Sequence, residues 1–413
     1  MEYKNGISKD GEVREPVQLY LVAKPGVKRK SEGFPFLEFF AGIGLVRYAL
    51  EKQGWNAVYA NDISSDKEQM YCDHFGADSS EFDLGDIHKL DAKLLPSALL
   101  ATASFPCTDL SLAGAREGLD LGKQSSAFWG FISVLKDLGA RRPPVVMLEN
   151  VTGFLTSDRG RDFKNAMLAL NKLGYAVDTF IVDAERFVPQ SRKRLFVIGV
   201  DRPLCSFEHN SSLSESDSRP KALVDFIKKN EDIDWAIRPL VLDVIRTASL
   251  RDVIEDIPLN SKLWWSVDRA DYLVSQMSEK HREIAEGMIH KKRWSYGTVF
   301  RRVRYGKSMA ELRTDGVAGC LRTPKGGSAK QILFKAGYGK YHVRLLSARE
   351  CARLMGADDF ELRVPPNQAY FGFGDAVCVP VIEWIAQNYL NPLIENILKF
   401  SSARLEDRNE LNV

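Results

Sequence analysis

The chain turns abruptly from a polar stretch into an apolar, aromatic run over 34–40. That run ends in Ala41-Gly42-Ile43-Gly44 and is followed by LVRYALEKQ, whose apolar residues recur at helical spacing until Gly54. A strand is handed to a helix through a glycine turn. A second short strand over 56–60 ends at Asn61-Asp62, and a third near 81–84 ends at Gly85-Asp86-Ile87. Apolar runs follow at 99–105, 145–148 and 177–182, and another at 195–200 after a short basic turn. Strands separated by helical patterns predict an α/β fold with a parallel, doubly wound sheet. Such sheets collect ligands at the carboxyl ends of their strands. Here those ends carry Asp62, Asp86, Pro106-Cys107 and Glu149-Asn150.

At 413 residues the chain suits a large α/β lobe with a smaller second one. Residues 1–33 read as a polar, basic arm of unknown order. After Val200 the strand-helix rhythm lapses: HNSSLSESDSR at 209–219 is a polar linker, and no regular alternation is legible up to about Arg344. No apolar run reaches 18 residues and the start lacks a secretory signal, so the expectation is a cytoplasmic chain with no membrane contact. The six cysteines (Cys72, Cys107, Cys205, Cys320, Cys351 and Cys378) include no C-x-x-C pair, which predicts free thiols and no metal site.

Net charge is only +2, but residues 291–344 hold fourteen Lys or Arg against Glu311 and Asp315, a local net of +12. Trp294, Tyr296, Phe300 and Tyr305 are interleaved with those charges, a mixture that suits nucleic acid as well as a solvated basic surface.

The glycine turn lets backbone approach a ligand and presents helix N–H groups to it. Position 47 is Arg, so the third glycine of the dinucleotide fingerprint is missing and nicotinamide and flavin cofactors are disfavoured. Asp62, twenty residues past Gly42, is placed to accept both hydroxyls of a ribose, and Asp86 to accept from an adenine amino group; either alone is also an ordinary helix cap. Cys107 is a buried small residue or a nucleophile aimed into the cleft. Glu149 is a cap or a carboxylate projecting into the same cleft. Arg192 and Arg194, two apart on an extended segment, point the same way and either steady an anion or pair with surface acids.

FLEFFAGIG, FPCTDLS, LENV, QSRKRLFVIG, LSARECARLMG and FGFGDAVCVPV together resemble, in order and spacing, the characteristic blocks of the DNA cytosine-5 methyltransferases of prokaryotic restriction-modification systems. The likeness covers about 34–200 and 320–390. It implies a Rossmann-like S-adenosylmethionine-dependent methyltransferase domain over 34–200, completed by about 369–400. A smaller target-recognition domain is implied over 201–368, within which 201–318 is the variable segment, and residues 401–413 form a polar tail.

By the same resemblance Cys107 is the nucleophile that adds to C6 of cytosine, Glu149 contacts N3 and the exocyclic amine, and Arg194 holds the base and Glu149 with Arg192 in support. Phe40, Gly42, Gly44, Asp62, Ile63, Asp86, Ile87, Phe105, Phe128, Asp375 and Val377 fall on cofactor-binding positions. The implied partner is double-stranded DNA with one cytosine flipped out. No metal and no obligate protein partner are implied, and a cognate restriction endonuclease would act separately. Two departures stand out. The last block reads Gly374-Asp375-Ala376-Val377 where the family usually has Asn second, and Thr108 follows the nucleophile where Gln is common. The alternatives are a tRNA cytosine-5 methyltransferase and a catalytically silent DNA-binding relative.

Overall fold

The computed structural model describes residue 17 and residues 33–76, 80–106, 127–204, 213–304, 306–324 and 330–411. Two sheets organise it. The larger has seven strands, β1 (Phe34–Phe39), β2 (Trp55–Asp62), β3 (Phe82–Leu84), β4 (Leu100–Ala103), β5 (Val145–Val151), β6 (Tyr175–Asp183) and β7 (Lys193–Asp201), in the order β3-β2-β1-β4-β5-β7-β6. The order reverses between β1 and β4, which makes the carboxyl edge of these strands the expected ligand crevice.

The sheet is mixed rather than wholly parallel as expected. β7 runs antiparallel to both β5 and β6, while β1 pairs in parallel with β2 and β4. The cause is the short link between β6 and β7, whose only element is the turn Ala184–Arg186. A parallel return needs a crossover of a dozen or more residues, usually a helix, and there is none to supply it.

Helices α1 (Leu45–Glu51), α2 (Ser65–Phe75), α3 (Ala127–Leu138) and α4 (Arg161–Lys172) connect the strands. β5 and β6 are buried along nearly their whole length, which is why they read as continuous apolar runs. The C-terminal run Pro366–Ser402 is apolar and long enough to cross a membrane, but 67% of its most apolar stretch is buried here, as a core helix would be. Residues 401–411 of the expected polar tail belong to the helix Asn391–Leu411. Of the N-terminal arm Val17 is described, fully buried against the large core.

The smaller sheet is antiparallel, in the order β11-β10-β8-β9, from β8 (Ser295–Arg304), β9 (Lys307–Arg313), β10 (Ile332–Gly337) and β11 (Lys340–Leu345). Val299, Ala310, Leu312, Ile332, Phe334, Ala336 and Val343 on one face pack against helices Val267–Ser275 and Glu279–Ile289. The segment after 201 does not enter this lobe at once. Asp178 of β6 receives two bonds from Arg219, at 2.8 and 3.0 Å, and one from the backbone N–H of Arg238 at 3.1 Å, while Leu223, Ile227, Ile233 and Ile237 join the core of the large lobe.

Candidate active site

The glycine turn is built by local backbone geometry. Phe40, Gly42 and Gly44 have φ of +56°, +60° and +81°. A non-glycine residue in that region is strained and persists where its surroundings enforce it, commonly at functional sites. Among the described residues a side chain at Gly42 would meet only the Phe40 carbonyl oxygen, at 4.0 Å, so they leave the turn facing open space. Beside Gly44 there is none: an added Cβ would lie 2.5 Å from Phe75 and 2.7 Å from Tyr71.

Asp62, at the end of β2, braces this turn. Its Oδ2 accepts from the Gly42 N–H at 2.9 Å and its Oδ1 from the Ser64 N–H at 2.9 Å, leaving each oxygen a further lone pair for a ligand. Ile63, next along, is 72% exposed, an apolar side chain held out at the sheet edge. Asp86 caps its own turn by accepting from the His88 N–H at 3.0 Å. Ile87 and Phe128 are buried, and Phe105 packs between Phe128 and Phe154 at ring separations of 5.3 and 5.7 Å. An open glycine turn, a braced carboxylate, an exposed apolar side chain and an aromatic floor fit a nucleoside-bearing ligand.

Two strands away, Glu149 near the end of β5 is buried, and Arg194 near the start of β7 places Nε 2.8 Å from Glu149 Oε1. The antiparallel register that sets Val151 opposite Arg194 makes this contact possible. Burial pushes the Glu149 carboxyl above its ordinary value, Arg194 and Arg192 pull it back, and Asp375 adds to the rise. The next residue, Asn150, donates from Nδ2 to the Phe105 carbonyl at 3.1 Å, tying β5 to the segment that leads into Cys107. Cys107 itself lies outside the described residues.

Arg192 and Arg194, expected from their spacing to point the same way, bond to different partners. Arg192 is 2% exposed, and its guanidinium donates to the carbonyls of Leu321 at 2.8 Å, Gly374 at 3.2 Å and Ala376 at 2.5 Å. It also lies 3.4 Å from Cys320 Sγ. Burial alone would raise the Cys320 thiol, but Arg192, Arg194 and Arg322 outweigh it and hold the thiol below its ordinary value. Val377 is buried, and Asp375 is half-exposed with Lys67 Nζ at 3.1 Å. Neither Lys67 nor Cys320 was legible as part of the site: both are brought in by tertiary packing, and neither sits in a patterned block.

The family profile described as C-5 cytosine-specific DNA methylase matches residues 34–391. The chain belongs to this family. It is therefore a DNA cytosine-5 methyltransferase, and its family implies use of S-adenosylmethionine and a DNA substrate. Type II methyltransferase M.DsaV of Dactylococcopsis salina is 30% identical over 361 residues, 86% of each protein. Type II methyltransferase M.MspI of a Moraxella species is 26% identical over 359 residues, 86% of this chain and 70% of that one. Among solved structures, the S. pombe Dnmt2 methyltransferase aligns with a TM-score of 0.56 at 20% identity, covering 87% of this chain and 99% of that one, which speaks to the fold.

For such an enzyme the basic stretch needs qualifying. Lys335 is buried, with Nζ 5.1 Å from the Trp294 ring centre and 5.9 Å from those of Trp264 and Tyr296. Arg344 is fully buried in a bidentate pair with Glu350, at 2.6 and 2.5 Å. These two cations are therefore buried, and the aromatics around Lys335 are half-buried. Lys291, Lys292, Arg293, Arg302, Lys307, Arg322 and Lys340 are exposed.

Proposed function

We propose that this methyltransferase modifies carbon 5 of a cytosine flipped out of double-stranded DNA within one short recognition sequence, and that it protects its host's DNA from a separate restriction endonuclease. The observation that carries the chemical part is the buried Glu149–Arg194 pair, set on the same sheet edge as the glycine turn and Asp62. The protective role rests on the type II relatives alone.

In this reading the Cys107 thiolate adds to C6 of the cytosine, and the ring electrons gather at C5 while Glu149 hydrogen-bonds or protonates N3. S-adenosylmethionine, when bound, supplies an electrophilic methyl group. Once C5 is methylated, loss of its proton returns electrons to the ring and expels the thiolate, so Cys107 is regenerated. Arg194 orients Glu149, and Arg192 acts through the backbone it clamps. Phe40, Gly42, Gly44, Asp62, Ile63, Asp86, Ile87, Phe105 and Phe128 line the donor site, with Asp375 and Val377 closing it. Flipping is needed because a thiolate has no path to C6 inside the base stack.

The lobe around the second sheet would lie along the duplex, with its exposed Lys and Arg gripping phosphates. The test is transfer of tritiated methyl from S-adenosylmethionine to unmethylated plasmid, followed by conversion sequencing. Label at one short recurrent sequence, abolished by Cys107→Ser, is expected. Label on tRNA alone would move the substrate to RNA, and cofactor binding without label on either would leave a silent DNA-binding protein.

A further inference from the structure

Asp375 places a carboxylate where the family usually has a neutral amide, and the structure fixes where that charge sits. It ends the helix Pro366–Asp375, which lies against the glycine turn: a side chain at Gly372 would meet Ile43 at 2.8 Å and Met70 at 2.9 Å. Its neighbours are held on both sides, because Arg192 takes the carbonyls of Gly374 and Ala376. The backbone has almost no freedom there.

The Asp375 side chain remains half-exposed and meets Lys67 Nζ at 3.1 Å. Lys67 stands in the first turn of α2, five residues past Asp62. The pair thus bridges the two elements that flank the turn, and Asp375 is the smallest of the influences on the Glu149 carboxyl, which it raises.

We infer that Asp375, tempered by Lys67, is a specificity-determining residue that makes this enzyme prefer the cationic methyl donor to its demethylated product. The inference rests on the donor site proposed above. S-adenosylmethionine and S-adenosylhomocysteine differ by one methyl and by the positive charge on sulfur, so shape and hydrogen bonding discriminate weakly between them. A carboxylate at this position favours the cation even though solvent reaches about half of its side chain and screens it in part, and an amide provides only a dipole. Lys67 opposes this by neutralising the carboxylate from outside. Transfer of the methyl group removes the charge that Asp375 attracts, so the same residue that holds the donor releases the product.

The test is calorimetric binding, without DNA, of S-adenosylmethionine, S-adenosylhomocysteine and sinefungin, an analogue with an amine-bearing carbon in place of the sulfonium. The unmodified protein should prefer both cations to the thioether. Asp375→Asn should shrink that preference about tenfold, equal to about 1.4 kcal/mol, by weakening the cations alone. Lys67→Met should widen the ratio, and added salt should narrow it in the unmodified protein. Equal changes for all three ligands in Asp375→Asn, or no change, would overturn the inference. If neither S-adenosylmethionine nor S-adenosylhomocysteine bound the unmodified protein, the donor-site reading would fall and the inference with it.

Discussion

The Nε of Arg194 sits 2.8 Å from Oε1 of Glu149, and both side chains are largely withdrawn from solvent. A buried carboxylate with one guanidinium partner is balanced between its two protonation states, since burial favours the neutral form and the cation favours the charged one. That balance suits a group which must hydrogen-bond N3 of a ring as electrons move toward C5.

Glu149→Gln should therefore bind S-adenosylmethionine with unchanged affinity yet lower the single-turnover methylation rate by about a hundredfold or more. Rapid-quench transfer of labelled methyl measures it. A rate within a factor of three of the unmodified enzyme would exclude Glu149 from the chemistry.

Arg194→Ala removes the charge that pulls the Glu149 proton affinity down. The protonated form then persists to higher pH. If that form is the active one, the alkaline limb of the kcat/KM profile should move upward in pH, at a lower plateau. A pH–rate series on both proteins shows it, and a shift to lower pH would contradict the assignment.

Glu38, next to last in β1, is a second buried carboxyl close to the turn besides Asp62. Burial pushes it up to about 8, the Arg47 N–H at 3.3 Å opposes this, and Oε2 has no partner among the described residues. With a raised value in the folded state, its contribution to stability is present below pH 4.5 and is lost as pH rises through about 8. Glu38→Gln should melt near the unmodified protein at pH 4 and be more stable by at least about 1 kcal/mol at pH 9. Thermal melts across that range decide it.

Much of this was legible beforehand because the large lobe is built from buried strands with distinctive ends. The apolar runs at 145–148 and 177–182 lie inside β5 and β6, and the acids at strand ends did gather on one edge. What failed was orientation. β7 reads as another apolar run, and only the short link before it signals an antiparallel return. Arg192 and Arg194 share a strand face by spacing, but Arg192 is drawn off by carbonyls more than a hundred residues away, at Leu321, Gly374 and Ala376. The small lobe was opaque for a related reason: its charges are partly internal, so Lys335 and Arg344 look in sequence like the exposed Lys291 and Lys340.

Arg192 and Arg194 should accordingly fail in different ways. Arg192→Ala leaves two buried carbonyls and one part-buried carbonyl without their donor and should cost about 3 kcal/mol or more of stability, since each bond to a charged group contributes about 1.5–3 kcal/mol. It should also weaken S-adenosylmethionine binding by loosening Gly374 and Ala376. Arg194→Ala should cost less, because Glu149, already raised by burial, can take up a proton once its partner is gone. Calorimetric melts of the two variants measure this, and equal losses would mean that the two arginines play one role.

Arg344 and Glu350 join the end of β11 to the helix Ala348–Leu354, and so tie the small sheet to the large lobe. Glu350 also accepts from the backbone N–H groups of Ser347 and Glu255, each at 2.8 Å. Nearly every lone pair of the carboxylate is used, which is the condition under which a buried ion pair repays its desolvation. Glu350→Ala strands the Arg344 charge and should cost about 3–5 kcal/mol. Arg344→Met combined with Glu350→Leu removes both charges and should recover part of that loss, while leaving the two N–H groups unpaired. Denaturant melts of the single and double variants give the coupling. If the double variant is less stable than either single, the pair is not coupled as argued, and the junction must be held by the N–H contacts instead.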